Sequence, residues 1–358
     1  MDSTVWLIPC RYKDYVVFLK LWNAICYFIS SFAIALLFYL RYLADSRIKC
    51  KFAEKCEIMG RISDELNMIK SSDDNTDDLY AIFKSVDKAL PVIRFYMGEG
   101  SSLIRQRVNE IGKEYNLVSE LYYPPAINLK YYGRANLPFQ SMFYACCFSL
   151  DPDEPLPRML TLMETSDFFK DKESCGIERA TCSRWNIKRK IELITLPYYT
   201  HYKKPCSIVK EIQSHWDDAI KSANIDKDAL ELVDYMSTEI SKDVSDSRGY
   251  FKIANFLNYL LYVNEKTKNA DGVMFPSVKA EGAGLNIVLK KESADEKIEF
   301  VGASLCYLAK NKMQSFLMIV NESTSVSKEG VITYSPKVIT EKVKEEYEKY
   351  AQGLEVIN

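Results

Sequence analysis

Hydrophobic and polar positions divide the chain into stretches of different rhythm. Residues Leu21 to Leu40 read LWNAICYFISSFAIALLFYL, without one charged side chain. That is about the length a helix needs to cross a bilayer. Trp22, Tyr39 and Tyr42 stand near its ends, with Arg11, Lys13 and Lys20 before it and Arg41, Arg47, Lys49, Lys51 and Lys55 after it. The following flank is the more basic, so the pattern predicts a transmembrane helix over 21–40 with the bulk of the chain facing the cytoplasm. The run lies far from the first residue and lacks a small-residue cleavage site, unlike a signal peptide. A core helix that is apolar all round has the same composition, so a cytoplasmic protein is the alternative.

From about residue 44 to 98 the rhythm is helical. Ile58, Ile62, Leu66 and Ile69 recur at spacings of three and four. The polar stretch Ser71–Asp78 predicts a loop and an N-cap. A second helix then carries Leu79, Ile82, Phe83 and Val86, and Pro91 stands near its end. We expect a helical hairpin over 44–98, following an N-terminal segment over 1–43.

Beyond Gly98 short β-rich runs take over, at 141–148, 190–196, 272–275, 286–289 and 315–320. Helical stretches lie between them near 206–222, 227–241 and 248–264, and a Glu/Lys-rich surface helix is expected over 337–354. Strands and helices do not alternate as in a doubly wound sheet. The pattern predicts an α+β domain over 99–335 with a bent or split central sheet, followed by a C-terminal surface helix within 336–358.

Composition adds limits. Nearly half of the 358 residues are apolar and the formal net charge is −2, which excludes a general nucleic-acid binder. The ten cysteines form no CxxC pair, so reduced thiols, several of them in the core, are expected. His201 and His215 are the only histidines. No metal is expected, and chemistry driven by a His general base is poorly supplied.

Four segments carry candidate chemistry. In LIRQRV, Arg105 and Arg107 alternate with apolar residues as on a half-buried strand, a setting suited to bidentate phosphate contact. In YYGRANLP a turn between Gly133 and Pro138 presents Arg134 and Asn136 together, with Tyr144 on the strand that follows. In LTLMET the lone Glu164 interrupts an apolar run, where neighbours can set a carboxylate's orientation. In DGVMFPSV, Ser277 follows a buried strand, ahead of Gly282, Gly284 and Asn286. No His stands nearby to activate that serine, so it is read as a hydrogen-bonding residue. Taken singly, the first three segments read more readily as a solvated strand face, a tight loop with polar caps and a surface Glu at a strand or helix end.

Together, and in this order, the segments resemble the RES domain family, over about Leu103 to Glu322. LIRQRV resembles the family's opening Leu-aromatic-Arg-x-Arg strand. YYGRANLPFQSMFYA resembles its Gly-Arg-x-Asn turn and aromatic-Tyr strand, and ATCSRWNIKRKIELITL its central strand-Trp-strand passage. DGVMFPSVKAEGAGLNIVL resembles its closing Pro-Ser segment. Tyr144 and Glu164 are further apart than in the family pattern, with Asp151–Pro155 as an insertion. That makes Glu154 a rival for the acidic position, as Arg105 and Arg107 are rivals for the first arginine, where Arg105 is favoured.

The resemblance implies an ADP-ribosyltransferase-like fold and cleavage of NAD at the nicotinamide–ribose bond, by hydrolysis or phosphorolysis, in a toxin or defence effector. NAD is then a substrate and phosphate a candidate co-substrate, with no cofactor. Glu164 and Arg134 become the expected catalytic residues. Arg105, Arg107, Asn136, Tyr144 and Ser277 become the expected substrate contacts. A restraining or activating protein partner and a homo-oligomer are the expected partners. Protein ADP-ribosylation and nucleotide binding without turnover are the alternatives.

Overall fold

The computed structural model describes residues 60–70, 75–147, 157–197 and 201–357. The uncharged run at 21–40 and the Asp151–Pro155 segment with Glu154 lie outside them. Among the described residues no helix is long and apolar enough to cross a membrane. Residues Glu65–Asn358 form one compact unit.

Helix α1 (Arg61–Met68) leads into this unit and α2 (Thr76–Ser85) follows, begun by Asn75, whose side chain accepts from the Asp78 amide at 3.3 Å. Strands β1 (Ile93–Met97), β2 (Ser102–Val108) and β3 (Met142–Cys147) come next. Helices α3 (Pro157–Thr165) and α4 (Asp167–Lys170) precede β4 (Gly176–Ile187) and β5 (Ile191–Thr195). Then come α5 (Ser207–Ser222), α6 (Lys227–Ser241) and α7 (Phe251–Tyr262). Strands β6 (Gly272–Pro276) and β7 (Leu285–Lys290), helix α8 (Lys291–Lys297), strands β8 (Ile298–Lys310), β9 (Ser315–Val326) and β10 (Ile332–Pro336), and helix α9 (Glu341–Ala351) complete the order.

The class is α+β. All ten strands join one sheet in the order β1-β5-β6-β7-β3-β2-β4-β8-β9-β10, antiparallel throughout except for β5 beside β6. The sheet narrows at its middle. Strand β2 pairs with β4 along its whole length, from Ser102↔Asn186 to Val108↔Ala180, but with β3 only at Leu103↔Cys147 and Ile104↔Cys146. Beyond Ile104 the two strands part. Where a bent or split sheet was expected, the strands form one continuous sheet, with a two-residue joint between a β1–β3 half and a β2–β10 half.

One expectation needs correction. The stretch 44–98 is not helical throughout, because Ile93–Met97 is a strand paired antiparallel with β5. Proline at 91 cannot continue the preceding helix and favours extended backbone before it. Helix α2 is also a built-in layer of the compact unit. Its Phe83 ring meets Phe256 of α7 edge-on at 5.2 Å, and Tyr80 meets Tyr259 at 5.5 Å. Edge-to-face pairs of this kind add about 1 kcal/mol each to the area they bury.

Asp271 ties the β1–β3 half together where β6 begins. It is 4 % exposed, and it accepts from the Glu192 amide, Ser293 Oγ and Lys297 Nζ, each at 2.8 Å. These donors come from β5 and α8, so one carboxylate joins three elements. Removing it leaves Lys297 without its buried partner, a change that costs about 3 kcal/mol or more. We predict a stability loss of about that size for Asp271→Ala in urea denaturation. A loss below about 1 kcal/mol would show that the ion pair is no more than a surface contact.

Candidate functional site

A cavity of about 490 Å³ opens where β2 and β3 part. Arg105 and Gln106 of β2 line one side and Tyr144, Ala145 and Cys146 of β3 the other, with Glu164 of α3, Phe275 of β6 and Asn286 of β7 completing the wall.

Glu164 owes its place to helical spacing. Leu160 and Thr161 lie four and three residues before it, on the same stripe of α3, and both are buried. Pro157 suits the first helical position, where its missing N–H is not needed. Leu160 packs with Cys146 and Ala280. Thr161 Oγ1 lies 3.2 Å from Gln106 Oε1, against β2. Gly284 permits this approach, since a Cβ there would fall 2.2 Å from Leu160 Cδ1. The stripe therefore delivers Glu164 to the cavity.

Two donors then fix the carboxylate. Ser277 Oγ donates to Glu164 Oε1 at 2.5 Å, and Asn286 Nδ2 donates to the same oxygen at 2.9 Å. Oε2 accepts from no group among the described residues. Ser277 is fully buried just past the end of β6. Its amide donates to the Gly284 carbonyl and its carbonyl accepts from the Gly282 amide, both at 2.8 Å, which closes the loop to β7. The Ala280 amide donates to Ser277 Oγ at 3.1 Å. A backbone N–H can only donate, so the hydroxyl proton is left for Glu164.

Arg105 spans the joint. Its Nη1 donates to the Tyr144 carbonyl at 2.9 Å, reaching across the gap where the backbone ladder has stopped. Its Nε is buried and without a partner. Burial first, and then the neighbouring Arg107 charge, push its pKa down to about 10, so the guanidinium stays charged at neutral pH. Arg107 points to the same face of β2 but lies outside the cavity. It donates to the Glu120 carbonyl at 2.6 Å and sits 4.4 Å from the Tyr115 ring centre. Of the two rivals, only Arg105 reaches the cavity.

Arg134 lines the cavity with most of its fork already committed. It donates to the carbonyls of Ile240 and Lys242 at the end of α6, and to Tyr250 Oη at 3.2 Å. Its charge lies 4.9 Å from the Tyr250 ring centre and 5.9 Å from that of Phe275. A cation at a helix C-terminus is favourable, and here it anchors the wall that holds Tyr250. Its terminal nitrogens are thus taken up by the wall of the cavity.

Tyr144 and Asn136 form a unit beside the cavity. Tyr144 Oη donates to Asn136 Oδ1 at 2.8 Å and accepts from the Ala135 amide at 3.1 Å. Burial pushes the phenol's pKa upward, so it remains neutral. Asn136 thus reaches the cavity only through Tyr144. On the more exposed side of the cavity, Lys279 pairs with Asp243 at 2.5 Å and Lys170 with Asp167 at 2.7 Å.

Of the residues singled out from sequence, Arg105, Arg134, Tyr144 and Glu164 line one cavity, and Ser277 and Asn136 support it. Arg107 does not take part. Asn286, Cys146, Gln106 and the two lysines were not singled out. Asn286 had a visible signal, as the one polar residue in the buried run LNIVL. No protein-family model matches the chain, and a search of curated proteins returned no match.

A charged side chain whose Nε is buried without a partner is held for something other than stability. We predict that Arg105→Met unfolds at the same or a higher denaturation midpoint than the parent chain, despite losing the bond to Tyr144. A loss above about 2 kcal/mol would instead make Arg105 a structural tie across the joint.

Proposed function

We propose that the chain cleaves NAD at the bond between nicotinamide and ribose. The observation that carries this reading is the carboxylate of Glu164: it lines the cavity together with a charged arginine, and one of its oxygens is held by two donors. Breaking an N-glycosidic bond builds positive charge on the ribose, as in other glycoside cleavages. A fixed anion beside that ribose stabilises the charge as it develops, without reorganising during the step. With Oε1 held by Ser277 and Asn286, Oε2 can face the ribose.

Arg105 supplies the complementary charge. Its guanidinium suits the pyrophosphate of a dinucleotide, or an incoming phosphate. Tyr144, locked and neutral, offers a flat apolar face to the sugar or the departing ring. Arg134 holds the Tyr250 wall and adds positive potential rather than a direct bond. The acceptor is water or phosphate. Loss of cellular NAD would make such an enzyme a toxin or defence effector, which calls for a restraining partner. The uncharged run at 21–40 would tether it to a membrane with the catalytic unit on the cytoplasmic side, where NAD is found.

The test is NAD turnover by the full chain, with and without phosphate, beside its Glu164→Ala variant. We expect the variant to lose at least a hundredfold in kcat, the usual effect of removing a preorganised electrostatic group, while remaining folded. A phosphate requirement would identify phosphorolysis. Label from NAD appearing on protein would identify ADP-ribosyl transfer instead. Nucleotide binding with no turnover, or full turnover by Glu164→Ala, would overturn the reading.

A further inference from the structure

Behind the carboxylate stands a group that the proposed chemistry leaves unused. Cys146 is buried on β3, lines the cavity, and is the register partner of Asn286 across the β3–β7 ladder. Its Sγ lies 3.2 Å from Asn286 Oδ1, and Nδ2 of that same amide lies 2.9 Å from Glu164 Oε1. An asparagine amide donates from one end only. It can serve Glu164 in one orientation, and turned over it would set a carbonyl oxygen against a carboxylate. A thiol proton at Oδ1 selects between the two. Burial, then the negative charge of Glu164, raise the pKa of Cys146 well above that of an ordinary thiol, so the proton is present to be donated. Ser277 is oriented in the same manner by the Ala280 amide. Each donor to Glu164 therefore has a second donor behind it.

We propose that Cys146 is a positioning residue for Glu164: its thiol, bonded to Asn286 Oδ1, holds the amide so that Nδ2 faces the carboxylate. Its effect on turnover rests on the NAD reading above, whereas its effect on the carboxylate does not.

The experiment compares Cys146→Ser, which keeps a donor, with Cys146→Val, which fills similar space without one, in the full chain. Two quantities are read: the side-chain amide resonances of Asn286 by nitrogen-15 NMR, assigned by their absence in Asn286→Asp, and kcat and KM for NAD. In Cys146→Val we expect the Asn286 amide resonances to shift and broaden, because the amide loses the donor that fixes its orientation. We expect kcat to fall about tenfold, the worth of one hydrogen bond to a charged group, with KM little changed. Cys146→Ser returns both toward the parent values. If valine does not fold, Cys146→Ala gives the same contrast. A valine or alanine variant with the parent Asn286 resonances and kcat, or a serine variant that falls with it, would show that Cys146 only fills space and would overturn the proposal. Asn286 resonances that move in a chain with no NAD turnover would uphold the positioning role and refute the NAD reading, so the two failures are distinguishable.

Discussion

Two residue pairs between β2 and β3 hold the ten-stranded sheet together at its middle. They also set where its cavity lies. A ladder that continued past Ile104 would bring β2 and β3 side by side and close the gap. A ladder that never formed would leave two separate sheets, with Arg105 and Tyr144 unrelated in space. The short joint brings a cation from one half beside an aromatic strand from the other and leaves room between them. Arg105 then spans the opening with a side chain. The residues nearest the joint include the polar groups least explained by stability: Arg105 with its unpartnered Nε, and Gln106 with its unpartnered Nε2.

The elements around the joint have separate duties. Helix α3 carries the carboxylate, and its approach depends on the missing side chain at Gly284. The loop after β6 supplies Ser277 and β7 supplies Asn286, both buried beside a strand that is itself buried along its whole length. Arg134 joins the turn at 133–136 to the end of α6 and to Tyr250, so it helps to fasten the helical layer to the cavity. An arginine that secures a wall is as necessary to a site as one that touches a ligand, but for a different reason. Its loss would disturb the shape of the cavity before it disturbed its charge.

Much of this was legible in the sequence wherever local pattern decides structure. Helix α6 occupies the expected 227–241, because Asp226 caps it and Leu232, Val233, Met236 and Ile240 bury one face. Strands β3, β5, β6 and β7 are short apolar runs bounded by turns, and they were found on that basis. Strand β8 was not. It follows directly on the charged helix α8, carries exposed Glu299 and Val301, and is held by its pairing with β4 along its length, a contact no local rhythm announces. Strand β1 was missed for a similar reason, since five half-buried residues after a proline read equally well as the end of a helix.

The candidate site divides along the same line. Residue types that are conspicuous by themselves, such as an arginine on a strand or a lone glutamate in an apolar run, could be singled out from order alone. Which of Arg105 and Arg107 faces the cavity could not, because strand periodicity puts both on one face and only the length of the β2–β3 joint separates them. Cys146 was one of ten cysteines, and nothing in its neighbours marked it. Its meaning depends on Asn286 standing opposite it in a strand far along the chain, and on Glu164 being brought to that amide by a helix. Groups that touch a ligand tend to be unusual in their local sequence, whereas groups that orient them are ordinary residues made significant by register. Register is a property of the folded sheet, and for that reason the second set of donors around Glu164 becomes visible only when the strands are paired.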